Sequence, residues 1–89
     1  MAECIFCRIA SRKLPASIVF EDDRAVAFED TSPRAPVHVL VIPRKHIENL
    51  AAIEAGDEEL AGHLLRVASE VARLKGLAGH GYRVVANVG

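Results

Sequence analysis

The chain has 89 residues, of which 51% are hydrophobic, with a formal net charge of −1 at pH 7, and this length predicts one compact domain spanning residues 1–89. The nearly balanced charge and the scattered Lys and Arg side chains exclude a surface built to cover a phosphate backbone, so no nucleic-acid partner is expected. No apolar run approaches the ~18 residues of a membrane span, and the Met1-Ala2-Glu3 start has no export signal, so we expect a cytoplasmic protein without a membrane partner.

The first predicted elements are a short helix and a β-hairpin. The helix runs from Phe6 to Ser11 and is ended by Lys13-Leu14-Pro15, because the residue before a proline is pushed away from helical dihedrals. Two strands, Ile18–Glu21 and Ala25–Glu29, are rich in β-branched and aromatic residues. The intervening Asp22-Asp23-Arg24 has the composition of a hairpin turn.

A proline-bearing loop and a third strand follow the hairpin. Asp30 to Pro36 is predicted to be a turn or loop, because two prolines three residues apart exclude a helix interior. Val37 to Ile42 is predicted to be a strand. Since side chains alternate along a strand, His38 should lie on the same face as Leu40.

The last predicted elements are a long helix and a strand. Asp57 can cap a helix that runs to about Lys75, and Gly76 is placed to end it. One apolar stripe of this helix comprises Leu60, Leu64, Val67, Val71 and Leu74. Tyr82 to Val88 is interpreted as a final strand. The order of helix, three strands, helix and strand predicts an α+β fold with a mainly antiparallel sheet.

The spacing Cys4-Ile5-Phe6-Cys7 is the strongest local signal for a site. Two thiolates separated by two residues can converge on one tetrahedral zinc ion. A redox disulfide is less favoured, because that motif normally follows a strand in a βαβ unit. Two small buried residues are the third interpretation. In the cytosol, reduced thiols or metal ligands are favoured over a structural disulfide.

Several polar residues have both an ordinary and a functional interpretation. His38 is either buried and hydrogen-bonded or lines a pocket, and periodicity does not separate the two. His63 and His80 are interpreted as an ordinary helix residue and a loop residue. Asp30 can accept two hydrogen bonds from a ribose diol, although the residues alone favour an Asx turn. Asn87 could hold a phosphate oxygen or close a turn.

Seven short motifs occur collinearly over essentially the whole chain. They are Cys4-x-x-Cys7, Val19-Phe20-Glu21-Asp22-Asp23, Ala27-Phe28-Glu29-Asp30, Pro33-x-Ala35-Pro36-x-His38, Val41-Ile42-Pro43-x-x-His46-Ile47, Gly62-His63-Leu64 and Gly81-Tyr82-Arg83. Together they resemble the histidine-triad (HIT) family, specifically its HINT-like purine-nucleotide branch.

This resemblance implies a HIT-like α+β fold in a two-fold homodimer. It implies an apolar base pocket lined by Phe6, Ile9, Phe28 and Leu40. It further implies that Asp30 binds the ribose of a purine nucleotide such as AMP and that Asn87 faces the phosphate. By the same resemblance, Cys4, Cys7 and His46 would be ligands of a structural zinc ion. No organic cofactor is expected.

The resemblance also assigns the catalytic chemistry. In the family, a His-x-His-x-His-x-x strand carries the histidine that attacks the α-phosphorus to form a nucleotidyl-histidine intermediate. That motif does not occur in these 89 residues, nor does the fourth zinc ligand that accompanies it. His38 would belong only to the hydrogen-bonding network behind the nucleophile. The sequence therefore predicts a HIT-like domain without its last strand.

Three hypotheses about function follow from the sequence. The chain is part of a hydrolase acting on purine nucleoside phosphoramidates or related adenylates, a module that binds purine nucleotides without cleaving them, or a zinc-binding dimeric domain. The first needs a nucleophile aligned with the leaving group, and His38 does not substitute for it.

Overall fold

A computed structural model describes residues 4–88 of the chain. Its elements are α1 (Ile5–Ala10), β1 (Ile18–Glu21), β2 (Ala25–Glu29), β3 (Val39–Pro43) and α2 (Glu58–Leu74), with 3₁₀ turns at Leu50–Ala52 and Ala55–Asp57. The three strands form one antiparallel sheet in the order β1-β2-β3. The predicted α+β fold, with one long helix and a short N-terminal helix, is confirmed.

The hairpin between β1 and β2 has the predicted bounds. The Asp22 side chain closes its turn, because Oδ1 accepts hydrogen bonds of 2.8 Å from the backbone amides of Arg24 and Ala25. A short carboxylate side chain at the first position of a turn is suited to this role. Strand β2 also pairs with β3, and in that pairing Phe28 lies opposite Leu40.

The first helix ends earlier than predicted. It stops at Ala10 because the chain turns into the left-handed region at Arg12, whose φ is 64°. The amide of Lys13 then donates to the carbonyl of Arg8 at 2.8 Å, which is the hydrogen bond of a Schellman ending. The helix is therefore closed by its own backbone before Pro15 is reached.

Both ends of α2 lie where they were predicted, and only the interactions at its N-terminal end differ from the prediction. Gly76 has a φ of 73°, and the amide of Leu77 donates to the carbonyl of Ala72 at 2.8 Å. Asp57 precedes the helix, but its side chain does not cap α2. Instead it accepts from the Glu54 amide at 3.0 Å and from Lys45 Nζ at 2.5 Å.

Each face of the sheet packs against one helix, and we name each face after its helix. On the α1 face, the buried residues are Ile9, Ala10, Val26, Phe28 and Ile42. On the α2 face, they are Ala25, Ala27, Val67 and Val71, with Val39, Val41 and Leu64 packed against them. The predicted alternation in β3 is thus confirmed.

Leu74, predicted to belong to the apolar stripe of α2, is 54% exposed because it is the last residue of the helix.

Two strand predictions need correction. The third strand begins at Val39 rather than Val37, because the preceding loop folds back onto His38. Residues 82–88, predicted to be a final strand, are exposed and form no strand. Alternating apolar residues do not make a strand without a neighbour for their backbone N–H and C=O groups, and within residues 4–88 no strand pairs with this segment.

Among the residues that the structure describes, no helix is both long enough and apolar enough to cross a bilayer.

Candidate functional site

Asp30 and His38 face each other where β2 and β3 leave the sheet. The backbone pairing extends to them, because the amide of Asp30 donates to the carbonyl of His38 at 3.0 Å. Asp30 Oδ2 lies 3.4 Å from His38 Nε2, and the two side chains are 22% and 32% exposed. The pair is therefore accessible from solvent while the sheet fixes its spacing.

The loop between the two strands determines the tautomer of His38. The backbone amide of Arg34 donates to His38 Nδ1 at 3.0 Å. Since Nδ1 accepts a hydrogen bond, the ring proton of the neutral imidazole must lie on Nε2, which points towards Asp30. His38 is thus hydrogen-bonded and half-buried, and its place in a ligand pocket stays a prediction.

Asp30 keeps hydrogen-bonding capacity beyond the loop. Its Oδ1 accepts from the Ser32 amide at 2.8 Å, which is the Asx turn that the residues alone favoured. A carboxylate offers about four acceptor positions, so this bond and the contact with His38 leave positions for a ligand. The turn role of Asp30 does not exclude a role in binding.

An apolar surface adjoins this polar pair on the α1 face. The rings of Phe6 and Phe28 are in contact, with centroids 6.2 Å apart and planes inclined by 42°. Ile9 is buried in the same cluster as Phe28, and Leu40 packs against that cluster. Phe6 remains 43% exposed. The structure thus brings together the four apolar residues predicted to line a base pocket, although their role in binding stays a prediction.

Asn87, predicted to face the phosphate, makes no hydrogen bond to the site among the described residues. It lies in the exposed segment 82–88, and no hydrogen bond joins it to Asp30 or His38 within the described chain. Its contact with a phosphate stays a prediction.

Cys4, Cys7 and His46 form a second cluster, next to α1. One ligand atom from each residue lies within 4.8 Å of the other two, and Cys7 Sγ is 3.2 Å from His46 Nδ1. In a tetrahedral zinc site, bond lengths of about 2.3 Å to sulfur and about 2.0 Å to nitrogen place such atoms roughly 3.5–3.8 Å apart. The two thiolates, the imidazole and their spacing fit zinc, with small adjustments of the side chains.

Two charged networks were not predicted from the sequence. Arg44 donates to the carbonyls of Asp22 and Ala10, each at 2.7 Å, and to Glu21 at 3.2 Å. The single guanidinium therefore joins the end of β3 to the hairpin and to α1. No sequence signal indicates this, because its partners lie more than twenty residues away.

The second network joins α2 to the hairpin turn. His63 Nε2 lies 2.6 Å from Asp22 Oδ2, and Arg24 Nη2 donates to His63 Nδ1 at 3.1 Å. Burial of the Asp22 carboxyl opposes ionisation, but hydrogen bonds from the Arg24 amide and the His63 ring outweigh it and lower the pKa of Asp22. His63 is thus a hydrogen-bonded contact between α2 and the hairpin.

Comparison with known proteins gives one consistent result. The family model described as "Scavenger mRNA decapping enzyme C-term binding" matches residues 3–89. An uncharacterized HIT-like protein from Synechococcus elongatus is 47% identical over 87 residues, which cover 98% of this chain and 75% of that protein.

Solved structures agree with the sequence comparison. A HIT family hydrolase from Legionella pneumophila is 43% identical, with a TM-score of 0.90 over 93% of this chain and 74% of its own. A HIT family hydrolase from Clostridium thermocellum is 40% identical, with a TM-score of 0.94 over 100% of this chain and 77% of its own.

Proposed function

Because this chain belongs to the histidine-triad (HIT) family, we propose that its α1 face binds a purine nucleotide such as AMP, as in the HINT-like branch. One observation carries the proposal: the exposed ring of Phe6 contacts the buried Phe28, which lies with Leu40 on the same face of the sheet as the Asp30–His38 pair. A purine base needs an apolar, partly aromatic surface, and its ribose needs a hydrogen-bond acceptor at one edge of that surface.

The register of the sheet supports this division of roles. Phe28 pairs with Leu40. Two residues after Phe28 in the chain, the amide of Asp30 donates to the carbonyl of His38, which lies two residues before Leu40. Because side chains repeat every second residue, all four belong to one face. A base against the exposed ring of Phe6 and the half-buried Leu40 would leave its ribose diol near Asp30, whose carboxylate can accept from both hydroxyls.

Hydrolysis is proposed for a HIT protein that combines this domain with the histidine-triad motif. The relatives from Legionella and Clostridium thermocellum are named hydrolases, and the substrates proposed here are nucleoside phosphoramidates or related nucleotidyl compounds. The reaction would pass through a nucleotidyl-histidine intermediate. The motif that carries its nucleophile does not occur in these 89 residues, whereas His38 would orient the site through its ring hydrogen bonds. For the present chain we therefore expect binding without turnover.

Zinc is proposed as a structural metal held by Cys4, Cys7 and His46. The convergence of these three donors supports it, and the cytosol proposed as the compartment would keep both thiols reduced. The metal would supply a rigid link between the N-terminal segment and the chain after β3. The same cluster favours the second candidate function, a zinc-stabilised domain that binds no nucleotide.

A homodimer is proposed as the assembled state. Exposed apolar side chains support it, because Leu65 and Leu74 of α2 are 63% and 54% exposed, and Val84 and Val85 of the last segment are 56% and 61% exposed. Apolar area of this kind favours association. Sedimentation equilibrium at several protein concentrations tests the proposal, and a monomer mass at all concentrations would contradict it.

Isothermal titration calorimetry with AMP tests nucleotide binding. We expect measurable binding by the wild-type chain and a loss of about tenfold or more in Asp30→Asn, since a hydrogen bond to a charged group is worth roughly 1.5–3 kcal/mol. Glu29→Gln is the matched control, because Glu29 faces Lys75 on the α2 face. A folded wild-type chain that gives no heat with AMP while binding zinc would favour the second candidate function.

A further inference from the structure

The short helix α1 is attached at both ends to the chain around the end of β3. Near its N-terminus, Cys7 Sγ lies 3.2 Å from His46 Nδ1. At its C-terminus, Arg44 Nη1 donates to the carbonyl of Ala10 at 2.7 Å. Arg44 and His46 follow β3 directly, so one short stretch of chain contacts both ends of the helix.

The first turn of α1 depends on such contacts more than the last turn does. Ile5 and Phe6 are 58% and 43% exposed, whereas Ile9 and Ala10 are each 8% exposed. The helix has six residues and no side-chain cap at its N-terminus. Isolated helices shorter than about 12 residues are marginal in water, so the position of this turn is set by tertiary contacts.

Resting on the nucleotide-binding proposal, we infer that metal occupancy of the Cys4–Cys7–His46 cluster controls nucleotide affinity through Phe6. Phe6 directly precedes a metal ligand, Cys7, and its ring contacts Phe28 of the proposed base surface. Ligation by Cys4 and Cys7 on one side and His46 on the other fixes the first turn of α1 relative to β3. The exposed face of the Phe6 ring is then held in place before the base arrives.

The physical basis of this coupling is the entropy of the first turn. Without a metal ion, a nucleotide that packs on Phe6 must order this turn as it binds, and that cost reduces affinity. With the metal bound, the turn is already ordered. Because coupling between two binding sites is reciprocal, AMP should also increase the affinity for zinc by the same factor.

The test compares zinc-loaded protein with protein stripped by a chelator. Calorimetry with AMP should give a dissociation constant at least about fivefold lower for the zinc-loaded form, which is the lower end of typical coupling between sites. Amide hydrogen exchange measured on the same samples without AMP should slow in Ile5–Ala10 on zinc binding. Exchange in the central turns of α2, which pack on the opposite face of the sheet from α1, should stay the same.

A pair of histidine variants distinguishes the effect of metal ligation on AMP affinity from the general effect of replacing an exposed histidine. His46→Ala removes one ligand on an exposed loop, and we expect it to bind AMP as the stripped wild-type protein does, with no response to added zinc. His80→Ala is the control, because His80 is an exposed residue of the turn after α2, and it should keep the full response.

The outcomes distinguish the inference from the proposal on which it rests. Zinc binding that leaves both α1 exchange and AMP affinity unchanged would overturn the inference alone, as would a failure to bind zinc. An absence of AMP binding in both states would overturn the nucleotide proposal, and with it the effect on affinity. Slower α1 exchange together with tighter AMP binding supports both.

Discussion

The two faces of the sheet are packed to different degrees. On the α2 face, Val67 and Val71 are 2% and 6% exposed and lie against fully buried alanines of β2. On the α1 face, Phe6 keeps 43% of its surface exposed, and Leu40 is half-buried. Burial of apolar surface stabilises a fold, whereas exposed apolar surface beside polar groups is available to a ligand. The α1 face also buries Ile9, Val26 and Phe28, so both faces stabilise the fold, and the exposed ring of Phe6 makes the α1 face the one proposed to bind a ligand.

The two helices are also held in different ways. α2 has 17 residues, packs along its length and contacts the hairpin through His63. α1 has six residues and relies on Arg44 and on the cysteine–histidine cluster. Conditions that act on metal ligands should therefore affect the α1 face first, and changes in packing should affect the α2 face first.

The largest effect is expected on thermal stability, from removal of a metal ligand. If zinc is bound at 100 times its dissociation constant, it stabilises the fold by about 2.7 kcal/mol. Cys7→Ser should then lower the melting temperature by roughly 10 °C or more relative to zinc-loaded wild type. Differential scanning calorimetry in zinc and in chelator measures this, and wild-type melting that is identical in both conditions would contradict the prediction.

The second-largest effect is expected on the free energy of unfolding, from a change at a buried residue of the α2 face. Val67→Ala should lower the free energy of unfolding by about 2 kcal/mol, because it removes buried methyl groups and leaves a cavity. AMP affinity should be unchanged in the folded protein. Ser69→Ala, at an exposed residue of the same helix, should change stability by less than about 0.5 kcal/mol. Urea unfolding measures the free energy of unfolding of both variants. Equal losses would contradict the assignment of Val67 to the buried core of the α2 face.

A smaller effect is expected on AMP affinity, from a change at an exposed residue of the α1 face. Phe6→Ala should weaken AMP binding about tenfold, which corresponds to roughly 1.4 kcal/mol, because the base loses an aromatic contact. Phe20→Ala is the matched control, since Phe20 packs on the α2 face and should affect stability without affecting affinity. If the two variants lost AMP affinity equally, binding would not be specific to the α1 face.

The smallest effect is the pH dependence of the contact between α2 and the hairpin. The pKa of Asp22 is lowered in the folded state, so its ionised form contributes stability above the ordinary carboxyl pKa of about 3.9, and this contribution is lost as the pH falls through the lowered value. Asp22→Asn should remove less than about 1 kcal/mol at neutral pH. Its unfolding free energy should also depend less on pH in the acid range, as urea titrations at several pH values would show. A variant with the full wild-type acid dependence would contradict this.

Local sequence patterns predicted the elements that form by local rules. The bounds of the hairpin strands and the end of α2 at Gly76 follow from β-branched composition, turn residues and glycine dihedrals, which are properties of neighbouring residues. Segment 82–88 has the same kind of pattern but forms no strand, because a strand also needs a partner. Periodicity along one segment carries no information about that partner.

The candidate site was predictable only in part. The Cys4–Cys7 spacing indicated a metal cluster, and the family resemblance supplied His46, which the structure brings to within hydrogen-bonding distance of Cys7. The contacts of Arg44 and the His63–Asp22 contact were missed, since their partners are 22 to 41 residues apart in sequence. Such contacts exist only once the sheet and helices are assembled.

An AMP titration followed by amide proton–nitrogen correlation spectra tests the assignment of binding to one face most directly. We expect the largest shift changes at Phe6, Asp30 and Leu40 and their neighbours on the α1 face, with Val67 and Val71 on the α2 face unchanged. Changes concentrated along α2, or spectra unaffected by AMP, would contradict the assignment of nucleotide binding to the α1 face.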